Sequence, residues 1–139
     1  MFKRILLIAI CAIAMVLIRL FQTELFYDPI STHFSQLGTT SYKSVHVNLV
    51  RWSVSSSLRF ILHGLGCCII ITALSNLTEG FRYFRIYLSF LPFILGINLI
   101  VYGLLDSPFF LFYTLRLLIQ PIIGLVLIGS FYYNKRSSA

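Results

Sequence analysis

The sequence predicts an all-α integral membrane protein, a single domain over residues 1–139 made of four transmembrane helices in one antiparallel bundle. Both termini are expected on the cytoplasmic side. Three observations carry that expectation. The chain is 58% hydrophobic and 11% charged, with mean hydropathy +0.90, whereas soluble proteins carry about 25% charged residues. Its apolar residues gather into four segments near the roughly 20 residues that cross a bilayer. Eleven Lys/Arg against four Asp/Glu give a net charge of +7, and most of these cations flank the apolar segments. There they set topology; no Arg-rich run or soluble region offers a surface for nucleic acid.

Span one runs over about Ile5–Phe21. Its start, "MFKR" followed by an apolar run and Ala12-Ile13-Ala14, imitates a cleaved signal peptide. Apolar residues continue to Phe21, however, and Ile10 is not the small residue that a lipoprotein signal places before its cysteine, so an uncleaved anchor is expected. Gln22–Trp52 reads as an outer loop. Span two covers Ser57–Leu74, or starts as early as Val47 if its helix begins inside the nominal loop. A short basic linker, Ser75–Arg85, leads to span three at Ile86–Leu105, and the tight "DSPFF" turn leads to span four at Leu111–Tyr133. Lys3, Arg4, Arg82, Arg85, Lys135 and Arg136 fall on one side with Glu79 alone against them, which makes that side cytoplasmic. The sequon at Asn76–Thr78 lies there too and reads as a chance match. Cys11, Cys67 and Cys68 sit in apolar segments with no CxxC or Cys/His set, and read as small packing residues.

Span four holds residues that oily helices avoid. Tyr113, Arg116, Gln120 and Gly124 recur at helical spacing and share a face. Arg at mid-span costs about 2.5–3.5 kcal/mol even on the lenient insertion scale. Span two repeats the device with Asn48, Arg51, Ser55, Arg59 and His63. Span three places Asn98, Tyr102 and Asp106 at steps of four, and span one ends in Arg19, followed by Glu24 and Asp28. All of these groups converge on the extracytoplasmic half. Ionisable residues within membranes face the bundle interior and pair there, so a buried polar cluster opening outward is expected, with Asp106 pairing Arg116 across the turn.

In that half Arg19, Lys43, Arg51, Arg59 and Arg116 stand against Glu24, Asp28 and Asp106; five minus three leaves two cations without a carboxylate. Spare guanidinium suits an incoming carboxylate or lipid phosphate, and Arg51 or Arg59 is expected to be free of any role in the fold. Bland readings stand beside this one. Arg19 can snorkel to the headgroups, Arg116 and Gln120 can bond helix to helix, and His63 reads better as a satisfied packing residue than as a base or metal ligand. Pro121 kinks its helix. Trp52, Tyr132 and Tyr133 fit interfacial belts. A Ser/His/Asp set would have to recruit Ser55 or Ser56, His63 and Asp106 without a motif. Cys67 lies a turn below His63, too deep for water. No glycine loop, HExxH or acidic metal pair is present, so neither a cofactor nor a metal is expected.

Three stretches, "RLFQTELFYDPI" (Arg19–Ile30), "VNLVRWSVSSSLRFILHGL" (Val47–Leu65) and "LFYTLRLLIQPIIGLVLIGSFYYNK" (Leu111–Lys135), give the chain a family likeness. It resembles the exosortase F system-associated membrane proteins, small hydrophobic partners of an exosortase variant in bacteria. The family's Arg–Phe leading into LFYDP falls on Arg19, Phe21 and Leu25–Pro29, its second-helix polar positions on Asn48, Arg51 and Arg59, and its FYxxRxLIQP block on Phe112–Pro121. The closing FYY falls on Phe131–Tyr133, and with Asp106 the likeness covers nearly the whole chain. What it implies is association. Exosortases are multispan enzymes held to cleave and transfer proteins bearing a C-terminal sorting signal at the outer face of the inner membrane. Their catalytic Cys, Arg and His belong to the exosortase, and this chain has no counterpart. The expectation is a non-catalytic, multi-pass inner-membrane subunit whose partners are the bilayer, an exosortase F-like protein and the C-terminal tail of a sorted protein. The rivals are a small membrane enzyme using His63 or Asp106, and a purely structural subunit.

Overall fold

The computed structural model describes residues 2–37, 46–104, 107–119 and 122–137, and every regular element among them is helical. In chain order these are α1 (Phe2–Leu20), α2 (Gln22–Leu25), α3 (Pro29–Leu37), α4 (Leu49–Leu74), α5 (Leu77–Leu104), α6 (Pro108–Ile119) and α7 (Ile122–Ser137). Two helices, α4 and α5, are long and apolar enough to cross a membrane. A third such span exists if Pro108–Leu117 and Ile122–Asn134, which meet at 43°, count as one. The expected kink at Pro121 falls in the break between them, where Gln120 and Pro121 lie outside the described residues.

The first of the four expected spans is not in that set. Lys3 and Arg4 at one end of α1 and Arg19 at the other leave only Ile5–Ile18 free of charge, a run short of the about 20 apolar residues of a typical span.

The connections are tighter than the sequence indicates. The segment expected as the linker Ser75–Arg85 is helical from Leu77 onward. The Asn76 side chain caps the new helix, its Oδ1 accepting the Glu79 N–H at 2.9 Å. Glu79 in the first turn also complements the helix dipole, so the chain reverses over Ser75 and Asn76 alone. The nominal outer loop is equally ordered where it is described. Asp28 followed by Pro29 is a helix start, a side-chain acceptor at the N-cap and a ring at N1 that needs no N–H. Accordingly Asp28 Oδ1 accepts the Ser31 N–H at 3.1 Å and α3 begins. Asn48 does the same for α4, accepting the Arg51 N–H at 3.1 Å, so that helix starts well before Ser57.

Helix α4 is the hub, packed against α1, α5, α6 and α7. Small residues permit the approach. A Cβ at Gly124 of α7 would run into Cys67 Sγ of α4, and one at Gly64 would strike the Tyr87 ring of α5. Without a side chain at these points the helix backbones close in, which is how helices gain dispersion energy where lipid supplies no hydrophobic drive. Cys11, Cys67 and Cys68 are buried and free. Phe60 and Tyr87 stack at 4.3 Å between centroids and form, with Ile94, one core cluster.

A second cluster closes the end of the bundle. Ile30 and Phe34 of α3 sit among Trp52, Val101, Leu111 and Leu115, joining three longer helices to the short one. Trp52, expected at the membrane interface, is 0% exposed, whereas Tyr132 and Tyr133 are 62% and 73% exposed. One turn into α4, Trp52 falls on the side that α3 and α5 cover, where its ring lies 6.4 Å from that of Tyr102.

Candidate functional site

The α2–α3 end of the molecule gathers most of the polar residues singled out in the sequence. At its centre is an ion pair. Asp28, held by its own capping role at the start of α3, turns its second oxygen inward, and Arg59 Nη2 donates to Oδ2 at 2.9 Å. Both side chains are 0% exposed. The Arg59 guanidinium also lies 5.5 Å from the Phe26 ring centroid, a cation–π contact that partly replaces water. Its Nε and Nη1 have no hydrogen-bond partner among the described residues. Arg59 therefore belongs to the fold's own charge balance, contrary to the expectation that it could be free of the fold.

His63 follows one turn deeper, 1% exposed. Its Nδ1 lies 2.9 Å from the Arg59 carbonyl oxygen; since a carbonyl only accepts, Nδ1 carries the proton. Asn98 of α5 is also buried, donating from Nδ2 to the Ile94 carbonyl at 2.9 Å and to the Thr114 carbonyl of α6 at 3.3 Å. It ties α5 to α6. The polar face of α4 thus grades from exposed Asn48 and Arg51, through half-buried Ser55, to buried Arg59 and His63.

Arg51 lies at the exposed end of this face, 4.7 Å over the Tyr27 ring, while the Tyr27 hydroxyl accepts the Asn48 N–H at 3.3 Å. On the other flank Arg19 and Arg116 border one cleft of about 260 Å³, together with Gln22, Ser31, Phe34 and Phe112. Arg19 Nη1 donates to Gln22 Oε1 at 3.0 Å, a contact between residues one helical turn apart. Arg116 lies 4.3 Å over the Phe112 ring, also one turn away. Both guanidiniums are therefore held in place by neighbours that bring no negative charge, and Arg19 lies within electrostatic range of Arg116 and Arg59. Among the described residues that line the cleft there is no Asp or Glu.

The structure therefore divides the predicted site residues. Asp28, Arg59 and His63 form a buried core network; Asn48 and Arg51 lie at the start of α4; Arg19 and Arg116 share the cleft. Asp106 and Gln120 lie outside the described residues, and with them the expected Asp106–Arg116 pair. Sequence reasoning passed over Gln22, Ser31, Phe34 and Phe112 as site residues. The i,i+3 spacing of Arg19 and Gln22 and the i,i+4 spacing of Phe112 and Arg116 were available as signals; the approach of α3 to α6 was not. Among the described residues no group of three or more His, Cys, Asp or Glu is placed to hold a metal. Comparison with protein families, with curated proteins and with solved structures finds no match to this chain.

Proposed function

We propose that this chain is a non-catalytic accessory subunit of an exosortase F-type sorting system in a bacterial inner membrane. It crosses four times and presents its spare arginines at the outer face to the exosortase or to the tail of a sorted protein. The observation that carries the reading is the division of charge at the α2–α3 end: Asp28 is committed to Arg59, while Arg19, Arg51 and Arg116 make no ion pair among the described residues. Spare guanidiniums at the rim of a membrane domain suit a carboxylate-bearing or phosphate-bearing partner. The burial of His63, with Nδ1 committed to a backbone carbonyl, supports a non-catalytic role, as general acid–base work needs reach to a substrate proton. In this reading α1 is the first span, its basic ends snorkelling to the two interfaces, and the bent α6–α7 pair is the fourth.

Affinity purification from the native membrane tests the assignment; it expects a multispan exosortase-like protein in the eluate, and its reproducible absence would remove the system from the proposal. Arg51 gives a sharper test, because its side chain is exposed and its backbone N–H, not its charge, serves the Asn48 cap. Arg51→Gln is expected to keep membrane abundance within about 0.5 kcal/mol of wild-type stability yet to lower surface display of a sorted protein. Abundance and display falling together would make Arg51 structural.

Topology is tested separately. His46 and Thr78 are both exposed, and the native cysteines are buried. A membrane-impermeant maleimide applied to intact spheroplasts should label His46→Cys and spare Thr78→Cys. The opposite pattern would turn the arginine end to the cytoplasm.

A further inference from the structure

Beside the Arg19–Arg116 cleft lies a second feature that the sorting-system reading does not use. Between α1 and α7 runs an apolar groove of about 450 Å³, lined by Ala12, Met15, Val16 and Leu20 on one side and Ile122 and Leu125 on the other. Arg19 borders both the groove and the cleft. One guanidinium therefore stands where a channel suited to hydrocarbon meets a pocket suited to an anion.

We propose that the two together hold one anionic phospholipid, its phosphate between Arg19 and Arg116 and an acyl chain along the α1–α7 groove. The charge argument is local. Two like charges line one cleft, and Asp28, at the start of the helix that carries the lining residue Ser31, has one oxygen on Arg59 and the other on the Ser31 N–H. A phosphate brings several acceptor oxygens to two fork-shaped donors and relieves their repulsion. Ser31 and Gln22 on the same wall add hydrogen-bonding groups. The apolar argument chooses the source of the phosphate. A free anion makes no use of a hydrophobic groove starting at the same Arg19. An extended peptide would carry its backbone amides against an apolar wall where they find no partners. An acyl chain carries none. Val16 and Leu125 are 57% and 60% exposed, so the groove is open along its length to surrounding lipid. The site takes up Arg19 and Arg116, two of the three arginines that the sorting reading offers to a partner, and leaves Arg51 to that reading; its test needs no sorting component.

The test uses the full-length protein in nanodiscs of equal palmitoyl-oleoyl phosphatidylglycerol and phosphatidylcholine, with retained lipid counted by native mass spectrometry after mild delipidation. One phosphatidylglycerol is expected to be retained with roughly tenfold preference, equivalent to about 1.4 kcal/mol. Arg19→Gln with Arg116→Gln should abolish the preference. Leu125→Trp, which fills the groove from an exposed position, should lower retention while both arginines remain. That variant carries the test even if the double arginine variant does not purify. No preference in the wild type, or a preference that survives Leu125→Trp, would overturn the proposal. So would an equal loss in Arg82→Gln at the other end of the molecule, which would reduce the effect to net charge. Full displacement by millimolar inorganic phosphate would make the cleft a free-anion site, and displacement by a peptide with a free C-terminal carboxylate would return it to the sorting reading; either result defeats the lipid site.

Discussion

Asp28→Asn should destabilise the protein by about 3–5 kcal/mol, the cost of leaving a buried charge without its partner. Asparagine is as good an N-cap as aspartate, so the start of α3 is preserved and the loss isolates the charge on Arg59. Arg59 is 0% exposed and its Nη2 bond to Asp28 is its one ionic contact among the described residues. Arg59→Met should cost a comparable amount by stranding Asp28. The double variant, Asp28→Asn with Arg59→Met, should recover most of the loss, because apolar replacements of similar volume often match a buried ion pair in stability. Thermal unfolding of the detergent-solubilised protein and steady-state abundance in the membrane both read this. A loss in the double variant equal to the sum of the two single losses would show that the two side chains are not coupled.

Trp52→Ala should cost about 3–5 kcal/mol, the range for removing a large aromatic from a packed core. The ring joins α3, α5 and α6 through contacts with the Ile30, Phe34, Val101, Leu111 and Leu115 cluster, so its loss opens a cavity at the junction and loosens the α2–α3 cap. Tyr133→Ala is the matched control. Tyr133 is 73% exposed, and its replacement should stay within about 0.5 kcal/mol. Were Trp52→Ala no more harmful than Tyr133→Ala in a melting experiment, Trp52 would be an interfacial anchor and the cap would not depend on it. The two predictions are linked. Asp28 anchors the N-terminus of α3 to α4 by charge, and Trp52 receives Ile30 and Phe34 from the next two turns, so the short helix is fixed by one polar and one apolar contact.

Some errors of the sequence reading share a cause. Trp52 in a membrane protein fits an aromatic belt by composition alone, yet a Trp one turn inside a helix belongs to the core as soon as another element covers that side. Counting charges assigns no partners, so by sequence Arg59 falls among the spare cations. Asp28 lies thirty-one residues before Arg59, and only the return of α3 over the end of α4 brings them into contact. The charged residues of Ser75–Arg85 interrupt the apolar run and suggest a loop, although the Asn76–Glu79 spacing marks a helix start.

What the sequence determined by itself is what depends on local composition and spacing. Helical class, apolar segments long enough to cross a bilayer and the shared face from Asn48 to His63 all follow from a residue and its neighbours within about a turn or two; the caps at Asp28 and Asn48 are as local, but they lie in a segment that reads as an outer loop. The tertiary structure decided which polar groups meet. It gave Asp28 to Arg59, buried Trp52 under α3, and set Arg19 beside Arg116 in a cleft without a described carboxylate. The physical reason is that pairing within the membrane is set by how backbones approach, at points such as Gly64 and Gly124 where a missing side chain lets helices close. Those approaches join residues far apart in the chain, and no periodicity along the sequence encodes them.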